Sequence, residues 1–398
     1  MDAAPHIVRT RVGIVGGGPA GLMLSHLLAT SGIDNVVVEK RSHEAIENTH
    51  RAGILEHGSV RMLTESGVSN RVITDGDKHD GIDLRFGGVS HRIDFDALVG
   101  ESVWLYPQNQ VFVDLAAARR RDDGDVRFSV TDTEVLDLTT DTPKIRFTDV
   151  QGRRVELHCD FVVGADGSSS MCRRAIPATL RQGHFIEYPF AWFGILTEAP
   201  RSAPELIYAN SPHGFALISQ RNETVQRMYF QADPNEDAAA WSEERIWDEL
   251  QRRVDGPDGL ELKRGPIFEQ MILKFRSYVC EPLRHGNLFL AGDAGHTVPP
   301  TGAKGLNLAL ADVRVLFEAL DSFYSTGSST LLDGYSETAL KRVWKAQNFS
   351  YWMTSMLHTR SEASSFERKR ALGELDSVVS STYGRAYLAE AYTGWSHG

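Results

Sequence analysis

The most constraining feature of the sequence is a glycine-rich turn that follows an apolar run near the start of the chain. Residues 12–15 (Val-Gly-Ile-Val) are typical of a buried strand, and the apolar residues after the turn have helical spacing. A second apolar run, residues 36–38, ends at the carboxylate of Glu39. This order of strand, glycine turn, helix, strand and acid predicts a βαβ unit that binds a dinucleotide.

Each part of this motif has a physical role in that interpretation. Gly16 permits the tight turn, Gly18 lets a pyrophosphate approach the backbone, and Gly21 allows the helix to pack on the strand. The helix N-terminus offers unpaired N–H groups and a positive dipole end. An ordinary α/β unit with a glycine turn is the alternative, and it leaves Glu39 unexplained. The predicted dinucleotide contacts in this unit are Gly16, Gly18, Pro19, Ala20, Gly21 and Glu39.

Composition excludes several classes of partner. The formal net charge of −11 argues against nucleic acid. The run Arg119-Arg120-Arg121 precedes two aspartates, so we expect a solvated patch there. The three cysteines show no metal-ligand spacing, which favours a cytoplasmic location and no bound metal. The sequence has no leader-like or membrane-length apolar run, so we expect no membrane association.

The chain alternates strand and helix signals at first, becomes strand-rich in the middle and ends in helices. Residues 82–95 predict a hairpin, and residues 190–231 predict a block of short strands separated by turns. Ser242 is placed to cap a helix. A further strand in residues 287–293 and a helix in residues 305–320 return to the pattern of the first unit. We therefore expect a discontinuous dinucleotide domain with a strand-rich domain inserted into it.

Two further strand ends carry Gly-Asp turns. Residues 161–168 read Phe-Val-Val-Gly-Ala-Asp-Gly-Ser, and residues 290–307 read Leu-Ala-Gly-Asp-Ala-Gly-His-Thr-Val-Pro-Pro-Thr-Gly-Ala-Lys-Gly-Leu-Asn. Each alone could be a structural Asx turn. Together with the first motif they resemble the three signatures of the single-component FAD-dependent aromatic hydroxylases. The resemblance extends over essentially the whole chain, through stretches such as 207–210, 352–355 and 389–394.

The resemblance implies an α/β (α+β) protein in three parts. A Rossmann-like FAD-binding domain would comprise residues 1–182 and return in residues 283–345, and a β-sheet substrate domain would comprise residues 183–282. A hairpin in residues 80–100 would contribute to the substrate domain. Residues 346–398 would form a C-terminal helical region that takes part in a homodimer.

The resemblance also implies how FAD is held. Glu39 would bind the adenosine ribose and Arg51 the pyrophosphate, while Gln108 would lie near the ribityl chain. Asp293 would accept from a ribityl hydroxyl. The helix that begins near Gly305 would direct its positive end at the flavin pyrimidine ring and stabilise the anionic reduced flavin. The remaining implied cofactor contacts are Lys40, Asp166, Leu306 and Asn307.

A substrate site follows from chemistry and from the same resemblance. The planar guanidinium of Arg221 can hold a carboxylate with two parallel hydrogen bonds. The resemblance adds Ser219 and Tyr229 as further carboxylate contacts. It places Tyr208 against the substrate phenol and the carbonyl of Pro300 near it.

Three more residues are implied for catalysis. Tyr392 would take a proton from the phenol contact and pass it outward along a relay that ends at His79, and Thr301 would lie near the flavin C4a atom. Each of these residue types is more often structural when taken singly. Their joint presence favours the site.

The implied reaction converts 4-hydroxybenzoate to 3,4-dihydroxybenzoate. NAD(P)H would reduce FAD, O2 would add to give a C4a-hydroperoxide, and the substrate phenolate would attack its terminal oxygen from the ortho carbon. Because a phenol has a pKa of about 10, the site must favour the anion.

Several alternatives remain open. A related para-substituted benzoate is possible, since Ala391 and Met228 depart from the family pattern and could adjust the pocket. A non-hydroxylating flavin enzyme of the same fold is another alternative, although residues 191–195 do not match the halogenase signature Trp-x-Trp-x-Ile-Pro. A non-enzymatic nucleotide-binding regulator would leave Arg221, Tyr208 and Tyr392 without a role. A plain NAD dehydrogenase would have no need for the Asp293 motif or for Pro300 and Thr301.

The nicotinamide coenzyme is expected to bind transiently, through Lys40, Arg41, Arg51 and Arg276. Three positions depart from the pattern of NADPH-selective members, with Ala45 in place of Tyr, Thr49 in place of Arg and Ser169 in place of His. A 2′-phosphate favours arginine partners. We therefore expect NADH to be used well and NADPH selectivity to be weak.

Overall fold

A computed structural model describes residues 4–49, 53–360 and 363–395. Its strands fall into four sheets and its helices pack around them. The strands are β1 (His6–Arg9), β2 (Val12–Val15), β3 (Asn35–Val38), β4 (Ile54–Glu56), β5 (Asp77–His79), β6 (Gly81–Phe86), β7 (Val89–Asp94), β8 (Val103–Leu105), β9 (Asp125–Arg127), β10 (Thr131–Leu136), β11 (Lys144–Thr148), β12 (Arg154–His158), β13 (Phe161–Gly164), β14 (Gln182–Glu198), β15 (Leu206–Ser211), β16 (Gly214–Gln220), β17 (Val225–Ala232), β18 (Ile267–Glu281), β19 (Arg284–His285), β20 (Leu288–Leu290) and β21 (His296–Thr297).

The longest helices lie in the last third of the chain. The helices are α1 (Pro19–Thr30), α2 (His43–Glu47), α3 (His57–Glu65), α4 (Arg71–Thr74), α5 (Phe95–Val99), α6 (Gln108–Arg121), α7 (Met171–Ala175), α8 (Glu243–Val254), α9 (Gly305–Thr326), α10 (Thr330–Asp333), α11 (Tyr335–Leu357), α12 (Ser365–Ser380) and α13 (Thr382–Thr393).

The six-stranded sheet has the order β19-β20-β13-β2-β3-β9, and β2 lies between two parallel neighbours, β13 and β3. Residues 12–15 and 161–164 are buried throughout, as expected of central strands covered on both faces. Parallel strands end at the same edge of a sheet. The loops after β2, β13 and β20 therefore meet.

The eight-stranded sheet, in the order β21-β18-β14-β17-β16-β15-β6-β7, separates two apolar cores. Because side chains alternate across a strand, one face presents Ile207, Ile218 and Met228 to α8. The opposite face presents Tyr208 and Tyr229 to α11 and α13. The β6–β7 hairpin joins this sheet because β6 pairs in parallel with β15.

Two smaller sheets complete the fold. One has the order β1-β12-β11-β10 and the other β4-β8-β5. No helix in the described ranges is long and apolar enough to cross a bilayer. The same ranges hold no group of three metal-ligating side chains, and the three cysteines are buried thiols.

Several sequence predictions can be compared with these elements. The hairpin in residues 82–95 and the helix capped by Ser242 are confirmed; the Ser242 side chain accepts from the Arg245 amide. The solvated patch at residues 119–121 is wrong in one position. The Arg119 side chain is buried, and its guanidinium packs against Gly124. A Cβ at Gly124 would lie only 2.2 Å from the nearest guanidinium nitrogen of Arg119.

Candidate active site

The three motif loops converge at one edge of the six-stranded sheet. The amide of Gly16 donates to the Val38 carbonyl at 2.8 Å, and that of Ala165 donates to the Val15 carbonyl at 2.8 Å. Ala291 donates to the carbonyl at the end of β13 at 3.0 Å. This edge is where doubly wound sheets bind nucleotides.

The glycine turn is shaped by contacts that no side chain would allow. Gly16 has φ +114°, and a Cβ there would lie 2.2 Å from the Ala165 carbonyl oxygen. A Cβ on Gly21 would lie 1.9 Å from the Gly16 oxygen. A Cβ on Gly18 would meet nothing within 4 Å. Packing therefore requires glycine at positions 16 and 21, while Gly18 borders open space in front of α1 that suits a pyrophosphate.

Glu39 closes the other side of this cradle. Its carboxylate is buried and accepts from the Gly17 amide and from the Arg41 amide, both at 2.8 Å. Oε1 also lies 3.5 Å from Arg41 Nε, while Oε2 retains a further lone pair that can accept from a ribose hydroxyl. These two amides fix the acid beside the glycine turn.

The second and third motifs each carry an aspartate, Asp166 and Asp293. Asp166 caps α7, with its oxygens 2.7 Å from the Met171 amide and 2.5 Å from Ser170 Oγ. The turn that carries Asp293 is tied to α9, because Asp312 accepts from the Gly292 amide at 2.8 Å. The predicted cofactor contacts of both acids stay predictions, and the Asp166 side chain is already occupied by its own turn.

His296 strengthens that tie. Its Nε2 lies 2.6 Å from the same Asp312 carboxylate. Burial opposes protonation of His296, but the charge and hydrogen bond of Asp312 outweigh burial and raise the pKa. The contacts of Asp312 with the Gly292 amide and with His296 together fix the third motif loop on α9.

The N-terminus of α9 contains an ion pair that sequence reasoning missed. Lys304 is 2% exposed, and its Nζ lies 2.7 Å from the Glu56 carboxylate and 3.1 Å from the Tyr392 carbonyl. Burial lowers the pKa of Lys304, and Glu56 opposes that shift. Asn307 accepts from the Glu56 amide and donates to the Ile54 carbonyl, so its side chain holds β4 against α9. A lysine within the Gly-Ala-Lys-Gly motif could have drawn attention to Lys304. Its partner Glu56 lies 248 residues away in the sequence, so the pairing could not be predicted.

The remaining cofactor and coenzyme candidates that the structure describes are exposed or partly exposed. Gln108 begins α6, and Lys40 and Arg41 are exposed directly after Glu39. Arg276 donates to Ser168 Oγ at 3.2 Å, which places it against the second motif loop. Leu306 lies in the first turn of α9, and Arg51 lies outside the described residues.

A row of side chains crosses the inner face of the eight-stranded sheet. Tyr208 in β15 faces Leu217 in β16, which faces Tyr229 in β17, which faces Gly194 in β14. A Cβ on Gly194 would lie 2.7 Å from the Tyr229 ring, so glycine makes room for that ring. Met228 points to the opposite face, so the expectation that it adjusts this pocket is wrong.

One end of the row holds a buried pair of hydroxyls. The Tyr208 and Tyr392 oxygens are 2.7 Å apart, and both side chains are buried. Burial raises the pKa of both phenols. Such a pair can pass a proton from one oxygen to the other while both remain neutral.

The other end of the row is cationic. Burial, followed by the nearby Arg227, lowers the pKa of Arg221, whose Nη2 lies 3.4 Å from Asn109 Oδ1. Arg227 is buried over the Tyr229 ring at 5.4 Å, and its Nη1 has no hydrogen-bond partner among the described residues. Ser219 Oγ donates to the Arg227 carbonyl at 2.5 Å. Sequence reasoning missed Arg227.

A chain of buried hydrogen bonds runs behind this pocket and was also missed. Thr301 Oγ lies 2.9 Å from Thr354 Oγ, and the Thr354 carbonyl accepts from His358 Nδ1 at 2.9 Å. Trp192 Nε1 donates to His358 Nε2 at 2.7 Å. Because the indole only donates, the imidazole is the Nδ1–H tautomer. Burial lowers the pKa of His358 to about 3.

The other catalytic candidates take known positions in the fold. Pro300 begins a short 3-10 turn, and its carbonyl accepts from the Ala303 amide at 2.9 Å. His79 ends β5 and is buried, with Nε2 at 3.0 Å from Asp77. Ala391 is buried beside Tyr392 in the same core. The nucleotide cradle and the aromatic pocket together define a flavin-dependent oxidoreductase.

Comparisons with known proteins agree with this class. A family model described as an FAD binding domain matches residues 9–350. The p-hydroxybenzoate hydroxylase of Acinetobacter baylyi is 42% identical over 97% of this chain and 96% of its own. A 3-(3-hydroxy-phenyl)propionate/3-hydroxycinnamic acid hydroxylase of Burkholderia cenocepacia is 27% identical over 77% of this chain and 56% of its own.

A solved structure shows the same fold. The p-nitrophenol 4-monooxygenase of Pseudomonas putida superposes with a TM-score of 0.82, at 20% identity, over 98% of this chain and 100% of its own. The chain belongs to the FAD-binding family of flavin-dependent aromatic monooxygenases.

Replacing Gly18 tests the cradle directly. Gly18→Ala should fold normally, because its methyl group meets no neighbour within 4 Å. It should raise the Kd for FAD by about tenfold or more, because the methyl group occupies the space for the pyrophosphate. The measurements are FAD titration of the apoprotein and its thermal unfolding. Gly21→Ala is the matched control and should destabilise the fold itself. An unchanged FAD affinity in Gly18→Ala would contradict the cradle.

The neutral state of His358 predicts a pH-dependent stability. Its pKa is about 3 in the folded protein and 6.5 ordinarily, so between these values only the unfolded chain binds the proton. Stability should therefore fall as the pH drops below about 6.5, by up to about 1.4 kcal/mol per pH unit from this group. His358→Phe keeps a stacked ring and should show a shallower slope in denaturant unfolding between about pH 5 and 6.5. His213→Gln, at an exposed site, should keep the wild-type slope, and equal slopes in both variants would refute the assignment.

Proposed function

We propose that this chain hydroxylates 4-hydroxybenzoate at the carbon ortho to its phenol, giving 3,4-dihydroxybenzoate, with O2 and NAD(P)H as co-substrates. The observation that carries the proposal is the sheet row with a buried phenol pair at one end and a guanidinium cluster at the other. Tyr208 and Tyr229 lie two strands apart, about 10 Å along the sheet. That span suits a benzoate ring with a hydroxyl opposite its carboxylate.

The cationic end supports recognition of the carboxylate. Arg221 can form two parallel hydrogen bonds with it, and Tyr229 can donate a third. The partly buried position of Arg221 strengthens these bonds relative to water. Ser219 has its hydrogen committed to the Arg227 carbonyl, so it supports Arg227 rather than donating to the ligand.

The phenol end supports ionisation of the substrate. The substrate proton moves to Tyr208 while Tyr208 passes its own proton to Tyr392 and Tyr392 passes its own outward, so both tyrosines stay neutral. Tyr208 is then a hydrogen-bond donor to the new phenolate. The ammonium of Lys304 lies 5.9 Å from the centre of the Tyr392 ring, and its positive charge favours negative charge nearby. A phenolate is the better carbon nucleophile because its charge is delocalised onto the ortho carbon.

Bound FAD, reduced by a nicotinamide coenzyme, supplies the oxygen-activating chemistry. The residues that fit it are the glycine turn, Glu39, the third motif loop and the start of α9. The buried aromatic wall of Trp192, Phe215 and His358 excludes water from the pocket, which protects such chemistry from wasteful peroxide release.

The comparisons support the substrate. The A. baylyi relative, whose name specifies p-hydroxybenzoate, aligns along nearly its whole length. A related para-substituted benzoate is the second candidate, because Ala391 stands beside the relay tyrosine and leaves a smaller side chain there than the family pattern does. The proposal includes a homodimer, since the C-terminal helices expose Phe366, Tyr383 and Tyr387.

Product analysis tests the function. The purified holoprotein should oxidise NADH or NADPH faster when 4-hydroxybenzoate is present and should form 3,4-dihydroxybenzoate in near-equal amount. Arg221→Lys should raise the substrate Kd roughly 10- to 100-fold, because the planar fork is lost. Arg264→Lys, an exposed arginine of the same sheet domain, should bind like wild type. Substrate-independent oxidation, or an unaltered Kd in Arg221→Lys, would count against the proposal.

The coenzyme surface supports use of NADH. Glu44 and Glu47 add negative charge close to Lys40 and Arg41, and Ser169 offers no cation beside Arg276. A 2′-phosphate therefore meets fewer positive partners than in NADPH-selective members. We expect kcat/KM for NADH to equal or exceed that for NADPH in steady-state assays; a ratio above about tenfold in favour of NADPH would overturn this.

A further inference from the structure

A three-residue cluster lies at the outer side of the tyrosine pair. His79 is 2% exposed, and its Nε2 is 3.0 Å from Asp77 Oδ2. Arg201 Nη2 donates to the same oxygen at 2.7 Å. The Nδ1 atom of His79 is buried and has no hydrogen-bond partner among the described residues. A buried imidazole nitrogen without a hydrogen-bond partner destabilises the folded state, so its presence suggests a functional role such as accepting a proton.

The cluster is built into the wall that holds Tyr392. In the small sheet, His79 pairs with Val103, whose side chain belongs to the same core as Tyr208 and Tyr392. The backbone carbonyl of the next residue, Asp80, accepts from the Phe95 amide at 2.7 Å. The Phe95 ring stacks on Tyr392 with centroids 5.2 Å apart. The strand that carries His79 is therefore linked through Phe95 to the residues that pack on Tyr392.

Asp77 sets which nitrogen of His79 carries the proton. Asp77 is ionised beside a guanidinium that can only donate, so its oxygen accepts from Nε2–H of the imidazole. In the neutral ring Nδ1 is then the acceptor. The Asp77 side chain is about a quarter exposed, so this cluster connects the core to solvent.

We propose that Asp77, held in place by Arg201, is a positioning residue that keeps His79 ready to accept a proton at Nδ1 and stabilises the resulting cation. The inference rests on the proposed function. The substrate O–H bond breaks, the proton moves through Tyr208 and Tyr392, and a new N–H bond forms at Nδ1 of His79. The imidazolium, paired with the Asp77 carboxylate, then releases one proton to bulk water.

Neighbouring charges do not replace Asp77. Lys78 pairs with Asp80 at 2.8 Å, and Ser102 donates to the same Asp80 at 2.6 Å. The Asp80 carboxylate is therefore bonded to Lys78 and Ser102, whereas the Asp77 carboxylate is bonded to His79. Asp80→Asn is therefore a matched control, since it removes a similar ion-paired carboxylate three residues along the chain.

The experiment measures ionisation of the bound substrate in the holoenzyme without coenzyme. A phenolate absorbs at longer wavelength than a phenol, so a pH jump in a stopped-flow spectrophotometer reports how fast the proton leaves. Asp77→Asn can keep both hydrogen bonds through its amide oxygen and removes only the charge. It should slow ionisation at least about tenfold with a substrate Kd close to wild type. Asp77→Glu should restore part of the rate.

The comparison variants make the result decisive. Tyr208→Phe should slow ionisation strongly, because it removes the first member of the path, and Asp80→Asn should match wild type. FAD content and thermal unfolding show whether each variant folds. A rate in Asp77→Asn within about twofold of wild type, with Tyr208→Phe slow, would overturn the inference alone. A wild-type holoenzyme that forms no dihydroxybenzoate would overturn the proposed function and this inference with it.

Discussion

A buried ion pair holds the parts of this protein in register. Lys304 begins α9, reaches Glu56 at the end of β4 and also binds the carbonyl of Tyr392 in α13. Two buried charges persist only when they are paired and otherwise satisfied, and removing one partner of such a pair costs about 3–5 kcal/mol. The nucleotide cradle, the small sheet and the C-terminal helices therefore share one electrostatic constraint. The ion pair also holds Tyr392, the proposed relay tyrosine, through its backbone carbonyl.

The two faces of the eight-stranded sheet have different roles. One face buries aliphatic residues under α8, while the other presents polar and aromatic side chains to the C-terminal helices. The period of two along each strand keeps these functions apart, since neighbouring residues cannot share a face. This separation lets a pocket contain guanidinium and phenol groups without weakening the core beneath it.

The sequence predicts local features well and distant pairings poorly. The glycine turn, the strand before it and the cap at Ser242 depend on neighbouring residues, and all three are found. The sequence-based assignment of Met228 to the pocket is wrong. Side chains alternate along a strand, so Met228, between Arg227 and Tyr229 in β17, lies on the face opposite to theirs. The pairings of Lys304 with Glu56 and of His358 with Trp192 join residues more than 160 positions apart. A single sequence gives no measure of such proximity, so the fold has to supply it.

The cofactor cradle is assembled from widely separated parts of the chain. The glycine turn lies near residue 16, the second loop near residue 166, and the third loop with the start of α9 between residues 292 and 307. During synthesis the first part leaves the ribosome long before the last, and chains emerge from their N-terminus. Flavin capture must therefore wait until about three quarters of the polypeptide has been made. A chain interrupted before that point lacks the third loop and the start of α9, and so cannot complete the cradle.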